Sequence, residues 1–239
     1  MQFMQNAVSS SRPTLRGISS MATRQLLAEL VQMYAQRSDG EIAIESVGGV
    51  DAAKRVQAGE PFDLVILASD AIDKLIATGH IDASSKVDLV HSGVAVAVRA
   101  GTPQPDIASE NAVRQAVLAA RSISYSTGPS GVALVKLFER WGIADLIRER
   151  IVQAPPGVPV GALVARGEVE LGFQQLSELI HVPGITLVGS LPPEIQITTT
   201  FSAGIGSGST QAAAAHDLLE FMASAQAAEA KRRQGMEPA

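Results

Sequence analysis

Two short stretches carry the chemistry needed to hold a negative charge. In the first, the β-favouring run Ile42-Ala43-Ile44 leads through Glu45-Ser46-Val47 into Gly48-Gly49-Val50-Asp51, and a helix-like segment follows that closes at Gly59. Paired glycines turn tightly and leave main-chain N–H groups uncovered. The first N–H groups of a helix have no partner inside it and sit at the positive end of its dipole. Strand, Gly-Gly and helix therefore make either an anion cradle or an ordinary connecting loop. In the second stretch, Thr14 to Ile18 reads as a strand that ends on Ser19-Ser20, one of which is the expected N-cap of the next helix. The four histidines, His80, His91, His181 and His216, share no metal-ligand spacing, and no Ser-His-Asp order or phosphate-loop signature is present. No metal or other cofactor is expected.

These stretches must be positioned by an alternation of strands and helices. Leu27, Leu30, Val31 and Tyr34 form one apolar helix face, and Phe62 to Ala68 is a nearly continuous apolar run suited to a strand covered on both sides. Ser69-Asp70 then caps a helix closed by Gly79, so β-α-β-α order with short loops predicts a parallel sheet with right-handed crossovers. The extended run Val87 to Val98 reads as a crossing into a second α/β unit. That unit has a helix near Glu110 to Ala120, a strand at Ser122 to Tyr125, a helix from Ser130 to Trp141, a short strand at Ile151-Val152, a helix from Val158 to Arg166 and a strand at Val169 to Phe173. The alternating run Ile195 to Phe201 returns the chain, and one long alanine-rich helix from about Thr210 to Arg233 packs Leu218, Leu219 and Met222 inward.

With 239 residues, 46% hydrophobic and 18% charged, the chain can bury a substantial core. A net charge of −5 without a long basic run argues against a nucleic-acid partner. Cysteine is absent, which excludes disulfides and thiolate chemistry. No apolar run is long enough for a transmembrane helix. The opening Met1 to Val8 lacks the basic and apolar regions of a signal peptide, so the expectation is a cytoplasmic protein or a periplasmic one already trimmed.

The order of these elements, with Phe62-Asp63-Leu64-Val65-Ile66-Leu67-Ala68-Ser69-Asp70, Thr127-Gly128-Pro129-Ser130-Gly131 and Arg166-Gly167-Glu168-Val169-Glu170-Leu171-Gly172-Phe173, resembles the type II periplasmic binding proteins, and within them the molybdate-binding branch. The likeness runs from about Thr14 to Glu237. It implies an α/β fold of two lobes, each a mixed, mainly parallel sheet flanked by helices, joined by two crossover strands: residues 12–92 with 199–239, and residues 93–198. A small anion would lie in the cleft, held by hydroxyls and by N–H groups at helix starts. The resemblance also implies a monomer and an ABC-transporter permease as partner.

Carried onto this chain, the family's first-loop hydroxyl falls on Ser19 or Ser20. Its second loop ends in a hydroxyl residue, where this chain has Val50-Asp51 after Gly48-Gly49. A carboxylate about 4 Å from a bound unit negative charge costs roughly 4 kcal/mol at an effective dielectric near 20. Asp51 must then face away as a helix N-cap, be protonated, or act chemically on the ligand; the cap is the reading taken. In the second lobe Ser126 to Gly131 matches a helix-start loop to which Tyr125, Ser126 and Ser130 add hydroxyls, and Gly157 to Val160 matches the next, with Val160 as N–H donor. Where molybdate binders commonly place a tyrosine, Gln174-Gln175 stands, a pair that suits a carboxylate or hydroxyl ligand as well as an oxyanion.

Arg24 and Arg55 each lie one turn into a helix near the expected cleft, and bidentate guanidinium groups hold organic acids. Two functions follow. The favoured one is a small-anion binding protein, for an oxyanion or a di- or tricarboxylate. The alternative is an isomerase, because the family includes an offshoot resembling aconitate isomerase; its base would be Asp51, Glu178 or Glu45. Asp51 and Gln175, both acceptors, suit a polycarboxylate better than a ring of donors around molybdate.

Overall fold

The computed structural model describes residues 14–38, 40–155 and 158–239. The expectations for Met1 to Val8, for residues 12 and 13 and for Gly157 lie outside them. β1 (Leu15–Ser20), α1 (Arg24–Ala35), β2 (Ile42–Val47), α2 (Gly49–Gln57), β3 (Leu64–Ala68) and α3 (Ser69–Ala77) follow one another with short connections. β1 pairs in parallel with β2 and β3, with Ser20 opposite Val47 and Ser19 opposite Ile66. Every residue of β3 is buried, as a central strand's apolar run demands. Gly59 and Gly79 close α2 and α3 at φ 82° and 75°, a conformation a side chain would strain.

β4 (Val87–Arg99) is one continuous strand shared by two sheets. Its start pairs with the first sheet, and its second part continues into another. There α4 (Glu110–Ala119), β5 (Ile123–Tyr125), α5 (Pro129–Arg140), the single turn α6 (Ala144–Ile147), α7 (Val160–Arg166), β6 (Leu171–Gln175), the single turn α8 (Leu176–Leu179) and β7 (Ile185–Ser190) are arranged around it. β6 runs parallel to β5 and antiparallel to β4, and β7 pairs with the far end of β4. The strand expected at Ile151-Val152 is only a single bridge from Ile151 to Ile123.

β8 (Thr198–Ile205) leaves the second sheet beside Gly93 and runs antiparallel to both β4 and β3. It begins later than its alternation suggests, because Pro193 to Ile195 form a 3-10 turn after Pro192. The long terminal helix is also two helices. α9 (Ala212–Ala223) stops at Ser224, which is extended at φ −70°, ψ 161° and donates its hydroxyl to Phe221 O at 2.8 Å. α10 (Ala228–Arg233) then turns back, and β9 (Glu237–Pro238) pairs with β4 at Val90 and His91. Leu218, Leu219 and Met222 join Leu26, Leu30, Ile66 and Phe201 in one core, while Val96, Val117, Leu134, Phe138 and Phe173 form another.

Candidate ligand-binding site

Both sheets aim the C-terminal ends of their parallel strands at the place where β4 and β8 cross. In the first sheet these ends are Ser20, Val47 and Ala68, and Ala68 lies opposite Phe201 of β8. In the second they are Tyr125 and Gln175, and Gln175 lies opposite Val94, two residues beyond the Ser92–Thr199 pair. Ligands of α/β sheets sit outside the carboxyl ends of strands.

On the first-sheet side, Ser19 and Ser20 point to opposite faces, as neighbours in a strand must. Ser19 is buried and its Oγ lies 2.8 Å from Ser46 Oγ, a partner not singled out in the sequence. Ser20 is the capping residue of a 3-10 turn, but its hydroxyl makes no capping bond. That hydroxyl stands beside the α2 start, 3.5 Å from where a Gly49 Cβ would be. Gly48, not Asp51, is the N-cap of α2; Asp51 is exposed in the first turn, with Oδ2 3.5 Å from a Cβ built at Gly48. Gly48 caps from ordinary extended backbone, φ −55° and ψ 133°, and the Asp51 carboxylate in the first turn gains from the helix dipole.

The two arginines differ. Arg24 is exposed and lines a groove of about 360 Å³ with Leu27, Val31, Ile44 and Ser46, without a hydrogen-bonding partner among the described residues. Arg55, expected to reach the cleft, is committed elsewhere. It donates to Glu45 at 2.8 and 2.9 Å and twice to Glu60 at 2.6 Å, and lies 5.4 Å from the centre of the Phe62 ring. These bonds to Glu60 and Glu45 raise its pKa and leave its fork no free pair of donors.

On the second-sheet side, Ser126 Oγ and Ser130 Oγ are 3.0 Å apart across the α5 start. Their approach requires Gly131: a Cβ there would fall 1.6 Å from Ser126 O. Tyr125 packs edge-on against Phe138 and lines a groove of about 500 Å³ with Val135, Asp145 and Ile151, while burial raises its hydroxyl pKa. Val160 opens α7, with its side chain buried over Gly172.

The two glutamines end β6 rather than following it, and both are buried. Gln174 Oε1 accepts from Gly161 N at 3.2 Å, capping α7, and its Nε2 donates to Glu178 Oε1 at 2.8 Å. Gln175 ties the crossing strands: the amide orientation that satisfies its neighbours donates to Ser92 Oγ at 2.8 Å and accepts from Thr199 Oγ1 at 2.9 Å. Both carboxamides are engaged by these partners within the protein. Burial pushes the Glu178 carboxyl up to about 7, against the opposing bond from Gln174. Among the described residues no group of three His, Asp or Glu gathers as a metal site, and no helix is long and apolar enough to cross a membrane.

A chain with these strand ends and crossing strands has well-defined relatives. The family model for bacterial extracellular solute-binding proteins matches residues 15–237. An aconitate isomerase from a Pseudomonas species is 39% identical over 233 residues, covering 94% of this chain and 88% of that protein. Among solved structures, the Azotobacter vinelandii periplasmic molybdate-binding protein superposes with a TM-score of 0.77 at 21% identity, covering 93% of this chain and 98% of that one. The sulfate-binding protein of Mycobacterium tuberculosis gives 0.76 at 17% identity, over 95% and 87%. The fold is that of the type II periplasmic binding proteins, and the chain belongs to the bacterial extracellular solute-binding protein family.

Proposed function

We propose that the protein closes on a small polycarboxylate and interconverts the isomers of an unsaturated tricarboxylic acid of the aconitate type. The observation that carries this reading is the 39% identity to an aconitate isomerase along nearly the whole chain. The two lobes are residues 12–92 with 199–239, and 93–198. Carboxylate ends of the ligand rest on the uncovered N–H groups at the starts of α2 and α5, on Val160 N at the start of α7, on the hydroxyls of Ser20, Ser126 and Ser130, and on Arg24. Asp51, exposed beside Gly48 and Gly49 and without a hydrogen-bonding partner among the described residues, is the base.

The reaction is a 1,3-proton shift. Asp51 takes a proton from the methylene carbon, the double bond moves to that carbon, and the former vinyl carbon takes a proton back, so composition is unchanged. Charge that develops on the adjoining carboxylate is met by preoriented helix N–H groups. In deuterated water the product should carry deuterium, and Asp51→Asn should slow its appearance roughly a hundredfold or more. Submicromolar molybdate binding with no affinity for cis- or trans-aconitate would refute the reading.

A second reading rests on the family match itself: a monomeric periplasmic receptor that binds the same anion without chemistry and delivers it to an ABC-transporter permease. Tight carboxylate binding with no deuterium exchange would select it.

A further inference from the structure

Ile42, Ile44 and Ser46 alternate along β2 and so share one of its faces, while Arg24, Leu27 and Val31 share one face of α1 at i, i+3 and i+7. The groove of about 360 Å³ lies between these two faces. β2 is the end strand of its sheet and pairs only with β1 among the described residues, so the sheet leaves the groove open on its outer side.

The two ends of the groove differ. Ser46 lies opposite Ser19 near the carboxyl ends of β2 and β1, with the two hydroxyl oxygens 2.8 Å apart, and Arg24 opens α1 just after the Ser20 turn. The polar end of the groove is therefore at the strand ends that receive the ligand's carboxylates. From Arg24 to Val31 the helix rises about 10 Å. Along that length the walls turn apolar: Leu27 is buried at the base, and Val31, Ile42 and Ile44 are half-buried. No acidic side chain lines the groove, and Glu45, on the other face of β2, is taken by Arg55 at 2.8 and 2.9 Å. Arg24 has no hydrogen-bonding partner among the described residues. A free guanidinium and a hydroxyl at one end, with half-covered apolar surface beyond them, fit an anion that carries a hydrocarbon chain. A compact oxyanion or an unsubstituted tricarboxylate reaches Arg24 and leaves the apolar strip bare.

We infer that this groove is a subsite for an apolar substituent of the ligand, so that the protein takes alkyl-substituted polycarboxylates with one carboxylate on Arg24 and Ser46 and the chain along Leu27, Val31, Ile42 and Ile44. This rests on the polycarboxylate reading and widens its substrate class. The chain leaves water by covering surface that the fold leaves half-covered, and affinity rises with each methylene until the groove is filled. Arg24 serves either kind of ligand; the groove distinguishes them.

The test is calorimetry on the full chain and on the Val31→Gln and Ile42→Thr variants, with tricarballylate, butylsuccinate and hexylsuccinate as probes. Val31 and Ile42 are half-buried at the far end of the groove and carry none of the polar groups assigned to the carboxylates, so both variants should fold and bind tricarballylate as the parent does. The expected result is that hexylsuccinate binds the parent about fivefold more tightly than butylsuccinate, less than two fully buried methylenes would give. Each variant should cut that ratio below about twofold. Equal affinity for the two alkylsuccinates in a parent that binds tricarballylate, or a chain-length gain that survives in both variants, overturns the groove and leaves the polycarboxylate reading intact. If one variant does not fold, the other decides. A parent that fails to bind tricarballylate yet shows the chain-length gain, lost in the variants, overturns the polycarboxylate reading and keeps the groove. Binding of no probe overturns both.

Discussion

Gln175 and Thr199 meet 2.9 Å apart across the two strands that carry the chain between its sheets. Gln175 closes β6 and Thr199 opens β8, so their bond fixes the angle between elements from opposite sides of the crossing. Replacing Gln175 by leucine would leave buried Ser92 and half-buried Thr199 without this partner, at about 1–3 kcal/mol. Urea unfolding should show this loss. If Gln175 instead touched the ligand, affinity would fall while the unfolding midpoint stayed.

Gly131 is the tightest backbone approach in the second-sheet half of the site. Gly131→Ala should displace the Ser126–Ser130 loop and cost about 1–3 kcal/mol by overpacking. Anion affinity, measured by calorimetry, should fall at least tenfold, on the order of 1.4 kcal/mol. Unchanged affinity would place the ligand away from this loop.

The arginines give opposite outcomes. Arg24→Ala should weaken polycarboxylate binding tenfold or more. Arg55→Ala should leave affinity unchanged, because its fork serves Glu45 and Glu60. Calorimetry on the two variants separates them, and a large effect at Arg55 would mean that its ion pairs open when ligand arrives.

Glu178 makes stability depend on pH in a defined direction. Its folded pKa, about 7, lies above the ordinary 4.5, so the folded state holds a proton that the unfolded state releases. The contribution is full below pH 4.5 and is lost as pH rises through 7. The whole change is of order 3 kcal/mol. Denaturant midpoints at pH 5 and pH 8 should differ less in Glu178→Gln than in the parent. Equal pH dependence in both would show that this carboxyl is hydrated.

The strand-and-helix order was legible because its signals are local. The apolar run before Ser69 is a buried strand, and Gly59, Gly79, Gly142 and Gly167 each close a helix at positive φ. The parts that were not legible depend on partners far apart in the chain. Nothing near Gln174 shows that its carboxamide caps α7, nor near Arg55 that Glu60 and Glu45 bracket it from both sides. An alanine-rich segment carries no break signal at Ser224, and the buried Lys231 sits among charged neighbours that read as solvated surface.

The return of the last forty residues to β4 and β3 also sets an order of events during synthesis. The core around Leu26, Ile66 and Phe201 is completed only by Leu218, Met222 and Met236, which are synthesised after the buried residues of the second core. The core around Val96, Leu134 and Phe173 is complete by Ile195. The middle of the protein can therefore consolidate on the emerging chain while its beginning waits, and folding ends with a late, long-range closure that a chaperone holding the N-terminal segment would protect.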